Sequence, residues 1–260
     1  MKNISYRTIS RRTALLQGGL LGGTLFTGLS TAVAGEASTA ESTAGQHKLR
    51  VVVTGGHPGD PECGCGGTIA RLVDQGHEVV LLYLNKGDPT EDPVKGPSQV
   101  RVLEAQKACE ILKSKAVFVP QVDGHAIVDA AHYDQFFTQL EAERPDLVLT
   151  HWPIDNHRDH RAMYMLVYDA WLRSKKRFAL YYYEVSDGED TVQFAPTDWV
   201  DITRVEARKR EACFAHASQD PAKFYALQEQ VTRMRGIERG CKFAEGYIRQ
   251  AQSPAISLPV

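Results

Sequence analysis

The sequence predicts an α/β domain with a mostly parallel sheet covered by helices on both faces. Three observations predict it. Short β-branched and apolar runs alternate with segments of helical periodicity between residues 49 and 250. The strongest run, Val79-Val80-Leu81-Leu82-Tyr83-Leu84, is apolar without alternation, as a strand buried on both faces requires. The residues that carry chemistry follow the first and fourth runs, and in such sheets ligands bind beyond the carboxyl ends of strands, near a switch in strand order.

Residues 49–54 form a β-branched run that stops at Gly55-Gly56 and reads as the first strand. Residues 67–75 read as a helix, with Ile69, Leu72 and Val73 on one face and Gly76 as its stop. A second strand is expected at 78–85, a helix at 98–112, a third strand at 116–119 and a helix at 133–144. Residues 146–151 read as the fourth strand, 159–173 as a helix and 178–185 as a strand. In that strand, Tyr181-Tyr182-Tyr183 alternates between core and edge. The remainder, 206–216 and 222–248, reads as largely helical. No internal repeat is visible.

With 260 residues, 43% hydrophobic and 24% charged, the chain has ordinary globular composition. A formal net charge of −2 and the lack of a long basic run give no support for binding nucleic acid or an acidic membrane surface. The N-terminus differs in character. Ser10-Arg11-Arg12-Thr13-Ala14-Leu15-Leu16 resembles a twin-arginine export signal, and Ala32-Val33-Ala34 offers the small residues a signal peptidase reads. The apolar stretch between them is short and rich in Gly, Thr and Ser, so no stable membrane span is expected in the mature chain. The expected organisation is a signal peptide over 1–34, a flexible linker over 35–48, the catalytic-type domain over 49–250 and a tail over 251–260. Such a protein is exported, to the periplasm or beyond. Cys63, Cys65, Cys109, Cys213 and Cys241 are odd in number and match no zinc ribbon or redox spacing, so they are expected to be packing residues.

Two clusters carry chemistry. The first, His57-Pro58-Gly59-Asp60-Pro61-Glu62, follows the first strand and is followed by Gly64, Gly66 and Gly67. A His and an Asp three apart in a tight turn can converge on one cation. The second, Thr150 to His160, packs His151, His157, His160, Asp155 and Asp159 into eleven residues of a chain with nine histidines. There Asp159 suits a helix N-cap, with His160 at the first helical position. One cluster supplies a His and an Asp and the other a third ligand, which makes an open His₂Asp site. Such a donor set suits Zn²⁺, and also Fe²⁺, Co²⁺ or Mn²⁺.

His57-Pro-x-Asp60 with Gly64-Cys65-Gly66-Gly67-Thr68 resembles the first signature of the PIG-L (LmbE-like) deacetylases, and His157-x-Asp159-His160 resembles the second. Arg101-x-x-Glu104, Trp199-Val200-Asp201-Ile202-Thr203, His216-x-Ser218-Gln219, Arg235-Gly236 and Ala244-Glu245 extend the match over roughly residues 49–248. The resemblance implies a Rossmann-like three-layer domain and removal of acetyl groups from N-acetylglucosamine-type amines using zinc. It implies His57, Asp60 and His160 as metal ligands. It further implies that His157 stabilises an oxyanion or donates a proton, and that Asp159 orients a histidine from behind.

One position departs from the family pattern. Two consecutive aspartates usually follow His-Pro, the first acting as general base, and this chain has Gly59 there. Either another carboxylate (Glu62, Asp155 or Asp88) serves, or attack proceeds without a positioned base, or the protein binds metal and glycan without turnover. For substrate contact the candidates are Arg101, Asp88, Trp152 and His216. Arg101 equally suits an i,i+3 pair with Glu104, and His216 equally suits a helix cap. The expected partner is a small N-acyl amino sugar or glycoconjugate.

Overall fold

The computed structural model describes residues 48–87 and 99–259. Seven strands form one sheet: β1 (Arg50–Gly55), β2 (Glu78–Asn85), β3 (Lys115–Gln121), β4 (Leu147–His151), β5 (Ala179–Tyr183), β6 (Asp198–Asp201) and β7 (Ala244–Arg249). Their order is β3-β2-β1-β4-β5-β7-β6. The first five are parallel, and β7 runs antiparallel to both β5 and β6. Period-two alternation splits the core. Val51, Val53, Leu147, Leu149 and Tyr183 face the side covered by α1 (Asp60–Asp74), α2 (Gln99–Leu112) and α5 (Glu206–Phe214). Val52, Val148, Leu180 and Tyr182 face α3 (Ala130–Ala142) and α4 (Arg158–Arg173). Helix α6 (Pro221–Arg239) packs beside β6 and β7.

The chain leaves β1 toward β2 on one side, whereas β4 lies on β1's other side. The loops after β1 and β4 therefore diverge from neighbouring strands and open a crevice between them. Both sequence clusters sit there.

Three expectations are corrected. The first helix begins at Asp60, seven residues before the expected start at 67. Its glycines permit close packing. A Cβ on Gly64 would lie 2.4 Å from the Tyr183 ring, and one on Gly67 would lie 2.5 Å from Ile202. Residues 222–248 are not one helix. Gly240, at φ +81°, takes the left-handed conformation that closes α6, and the chain then returns as β7. Asp159 is not the N-cap of α4. His157 holds that position, its side chain accepting from the Asp159 N–H, and Asp159 lies within the first turn.

Several family-like motifs prove to hold the fold together. The Glu245 carboxylate accepts from the Gly67 and Thr68 amides and pairs with the fully buried Lys209 at 2.7 Å, locking α1 and α5 to β7. Arg235 makes a two-pronged pair with buried Glu184 at 2.6 and 2.8 Å, tying α6 to the end of β5. Past β7 the chain packs back on the sheet, with Leu258 buried and the Ile256 carbonyl accepting from the Tyr181 hydroxyl. Among the described residues no helix is long and apolar enough to cross a membrane. The expected signal peptide and linker, apart from Lys48, lie outside the described residues, as does Asp88.

Candidate metal centre and its cavity

The β1–α1 turn places His57 and Asp60 side by side. Asp60 is the first residue of α1, and its Oδ2 accepts the His57 amide at 2.8 Å, which folds the turn over its own carboxylate. The same oxygen lies 3.4 Å from His57 Nδ1 and 3.2 Å from His160 Nε2. Three ligands at about 2.0–2.1 Å around a tetrahedral zinc are separated by roughly 3.3 Å, so these spacings fit a shared cation.

Each imidazole is held from behind. His57 Nε2 meets Asp159 Oδ2 at 3.2 Å and Asp123 Oδ1 at 3.1 Å, and His160 Nδ1 meets Asp155 Oδ1 at 3.1 Å. Such carboxylate–histidine pairs fix the ring and the tautomer of a metal ligand. Asp159 is fully buried and is itself fixed by the Gly124 and Ala126 amides and the Asn85 side chain. Thr191 donates to Asp155 Oδ2 at 3.1 Å.

Charge tells the same story. Burial pulls His57 down, but Asp60, Asp123 and Asp159 outweigh it and hold the imidazole well above its usual value. His160 is likewise lowered by burial and raised more strongly by Asp60 and Asp155, to about 9. Burial works against the Asp60 charge, yet the two histidines hold its carboxyl well below the usual range. A buried cluster in which carboxylates force histidines to keep protons is one that a cation would neutralise.

Three groupings of ligand-type atoms overlap this one: His57, His157 and His160; Asp60, His151 and His160; and His57, Asp123 and Asp159. His151 stacks on His160 at 4.0 Å and is pulled down to about 4 by burial and the His160 charge. Its Nε2 accepts the Gly56 N–H at 2.9 Å, so that lone pair is already engaged. The Asp159 oxygens are similarly occupied by the amides they accept.

His157 stands edge-on to His57 with ring centres 4.4 Å apart. Burial, with the positive charges of His57 and His160, lowers it toward the neutral form. Because Nδ1 accepts the Asp159 N–H, the neutral ring carries its proton on Nε2.

The centre opens into a cavity of about 200 Å³ bounded by Gly59, Asp60, Arg101, Asp190, His216 and Phe224. Of the four residues expected at the substrate, two line it. Arg101 bridges the Pro58 and Gly87 carbonyls at 2.9 Å each. The alternative pair with Glu104 does not form among the described residues, where Glu104 accepts from the Ser218 amide and hydroxyl. His216 does not cap a helix through its side chain; its Nε2 meets Glu62 Oε1 at 3.0 Å. Trp152 packs edge-on against Tyr182 and Phe194 and is not among the residues lining this cavity.

Residues 52–171 match the PIG-L family model, GlcNAc-PI de-N-acetylase. The chain is 30% identical over 210 residues to the diacetylchitobiose deacetylase of Thermococcus kodakarensis, covering 73% of this chain and 79% of that protein. The chain belongs to the PIG-L family. Among solved structures, the N,N'-diacetylchitobiose deacetylase of Pyrococcus horikoshii aligns with TM-score 0.66 and 22% identity over 79% of this chain and 86% of that one. GalB, the 4-carboxy-2-hydroxymuconate hydratase of Pseudomonas putida, aligns with TM-score 0.68 and 20% identity over 82% of this chain and all of that one. One fold thus carries a deacetylase and a hydratase, and the PIG-L fold alone does not choose the reaction.

In this PIG-L chain, of the carboxylates named as stand-ins for a base at position 59, Asp88 lies outside the described residues and the other two are otherwise engaged. Glu62 is fully buried, accepts from the Tyr83 hydroxyl and the Gly59 amide, and meets His216. Asp155 holds the His157 amide and the His160 ring. Sequence reasoning missed Asp123 and Asp190. Asp123 follows β3 on the same carboxyl rim as the two clusters, a placement that could have flagged it. Asp190 lies on the loop after β5, and burial pushes its carboxyl up to about 6, with Asp60 and Asp155 adding to the rise and His160 opposing it.

Proposed function

We propose that this PIG-L protein is an exported, zinc-dependent amidohydrolase that removes an acetyl group from an N-acetyl amino sugar. His57, Asp60 and His160 would hold the metal. The convergence of His57 Nδ1 and His160 Nε2 on one Asp60 oxygen, with carboxylates behind both rings, carries this reading. When bound, zinc supplies Lewis-acid charge that polarises the acyl carbonyl and acidifies water. The protein does the rest. His157, with Nδ1 engaged by the Asp159 amide, keeps its proton on Nε2, and that N–H would stabilise negative charge as it develops on the acyl oxygen. Asp159 keeps His57 oriented, and Asp155 keeps His160 oriented. Arg101 draws the loops around Pro58 and Gly87 together at the cavity wall.

The test is acetate release from N-acetylglucosamine and N,N'-diacetylchitobiose by the mature chain, zinc-loaded and after chelation. Release that requires the metal is expected. Gly59 favours a second reading, a metal- and glycan-binding protein without turnover. Zinc-loaded protein that binds these sugars yet releases no acetate in a single turnover decides for it.

Arg11-Arg12 supports export by the twin-arginine route. Replacing both with lysine is expected to leave the precursor in the cytoplasm. Mature protein still appearing outside it in immunoblots of cell fractions would rule that route out.

A further inference from the structure

We propose that Asp190 is the proton acceptor that replaces the side chain missing at Gly59. This rests on the hydrolase reading above. Hydrolysis of an amide needs a group that takes a proton from the attacking water and returns one to the leaving nitrogen. That group must reach the cavity, have a lone pair not already engaged, and be held in place.

Most acidic and imidazole groups around the centre fail one of these conditions. Glu62 is buried and engaged by Tyr83, Gly59 and His216. Asp155 and Asp159 spend their oxygens on backbone amides and on the rings of His160 and His57. Asp123 meets His57 Nε2 at 3.1 Å and faces Arg101 at 3.8 Å. His216 lies across from Gly59, with its ring 3.9 Å from where a Cβ would stand. Its Nε2 is turned to Glu62, and its Nδ1 is sealed from solvent. His216 thus walls the cavity with neither ring nitrogen turned into it.

Asp190 meets all three. It lines the same cavity as Gly59 and Asp60 and is half-buried. Among the described residues its carboxylate has no hydrogen-bond or ion-pair partner. Its backbone is pinned on both sides. The Asp190 carbonyl accepts the Asn156 amide at 2.7 Å, and its own amide donates to Ser186 at 3.0 Å. The next residue, Thr191, bridges to Asp155 in a strand-like pair, accepts the Val185 amide through its hydroxyl and donates that hydroxyl to Asp155. Asp155 in turn orients His160 and caps the His157 amide. The loop that carries Asp190 is therefore fastened to the segment that carries His157 and His160. A free carboxylate on a rigid mount beside the metal centre is what a general base requires.

In the step assigned to it, the water oxygen bonds to the acyl carbon as one water proton passes to the Asp190 carboxylate. The C–N bond then breaks as that proton moves to the amine nitrogen. The new acid loses its remaining proton to the amine, so acetate and a protonated amino sugar leave and Asp190 is again a carboxylate.

Asp190→Asn keeps the shape and removes the basicity. Single-turnover acetate release by the zinc-loaded variant is expected to fall about 10²–10⁴-fold. Zinc content, melting temperature and calorimetric affinity for N-acetylglucosamine should stay as in the parent. Formate is expected to restore part of the rate to Asp190→Ala. A rate within threefold of the parent overturns the assignment. So does a rate loss matched by an equal loss of sugar affinity, which would make Asp190 a binding residue, or by a loss of zinc. A parent that binds zinc and sugar but releases no acetate sinks the hydrolase reading and this assignment with it; an active parent with an unaffected Asp190→Asn sinks this assignment alone.

Discussion

Replacing His160 with alanine is expected to strip the metal from the mature protein, from about one zinc per chain to a small fraction of that, and to abolish acetate release. In the proposed ligand set the ring supplies one of three donor atoms, and its Nε2 stands 3.2 Å from the Asp60 oxygen that His57 Nδ1 also approaches. Two donors hold zinc poorly, because a structural or catalytic site ordinarily needs three or four. The fold should survive. Asp155, released from His160, still accepts the His157 amide at 2.7 Å and the Thr191 hydroxyl at 3.1 Å, and α4 keeps its apolar face of Met163, Leu166, Val167 and Trp171. Replacing the residue behind the ring, as in Asp155→Asn, should weaken zinc by roughly 10–100-fold, a milder loss than that of the ligand itself. Metal analysis after dialysis, with chelator competition for affinity, reads both. Full zinc occupancy in His160→Ala means the third donor lies elsewhere, and the grouping of His57, Asp123 and Asp159 becomes the one to test.

The fold was legible where the pattern was strong. Val79 to Leu84 reads as a doubly buried strand and forms one, and the two clusters fall at the carboxyl rim because the strands before them are parallel. It was illegible where tertiary contacts overruled local preference. Gly64 and Gly67 disfavour a helix by themselves, and only the nearness of Tyr183 and Ile202 shows why a helix needs them. Gly240 was the available signal for the end of α6, but the strand beyond it is only six residues and is built around a buried glutamate, Glu245, which no strand pattern anticipates.

The site divides in the same way. His57, Asp60, His157, Asp159 and His160 stand in two dense clusters, so spacing alone brings them into view. Asp123 and Asp190 come from separate loops. Asp187-Gly188-Glu189-Asp190 reads as a solvated acidic turn, and nothing local distinguishes Asp190 from its neighbours. What distinguishes it is the pairing of Thr191 with Asp155, a contact between segments 36 residues apart.

Gly59→Asp, which returns the family's usual residue to this chain, is expected to lower stability and not to raise the rate. The space is there: a Cβ at this position has nothing closer than the His216 ring at 3.9 Å. The backbone is the obstacle. Gly59 sits at φ +112°, a conformation L residues rarely adopt, while its amide donates to Glu62 and its carbonyl accepts the Cys63 amide at the start of α1. Holding aspartate there costs about 1–3 kcal/mol. For a domain of this size that is a fall in Tm of roughly 2–4 °C per kcal/mol, readable by thermal unfolding. If the turn relaxes instead, His57 and Asp60 move with it and zinc affinity drops. A carboxylate at position 59 would share the cavity with Asp60 and Asp190, and a second base adds nothing to a reaction that already has one. A rate that rises tenfold or more in Gly59→Asp, with zinc still bound, would falsify that expectation: the parent would then lack a working base, and Asp190 could not be one. If Asp190 is the base, a double variant with Asp190→Asn should recover part of the rate lost in Asp190→Asn alone, provided the strained turn lets the new carboxylate reach the water. The pair of variants therefore separates a site that moved its base from a site that lost it.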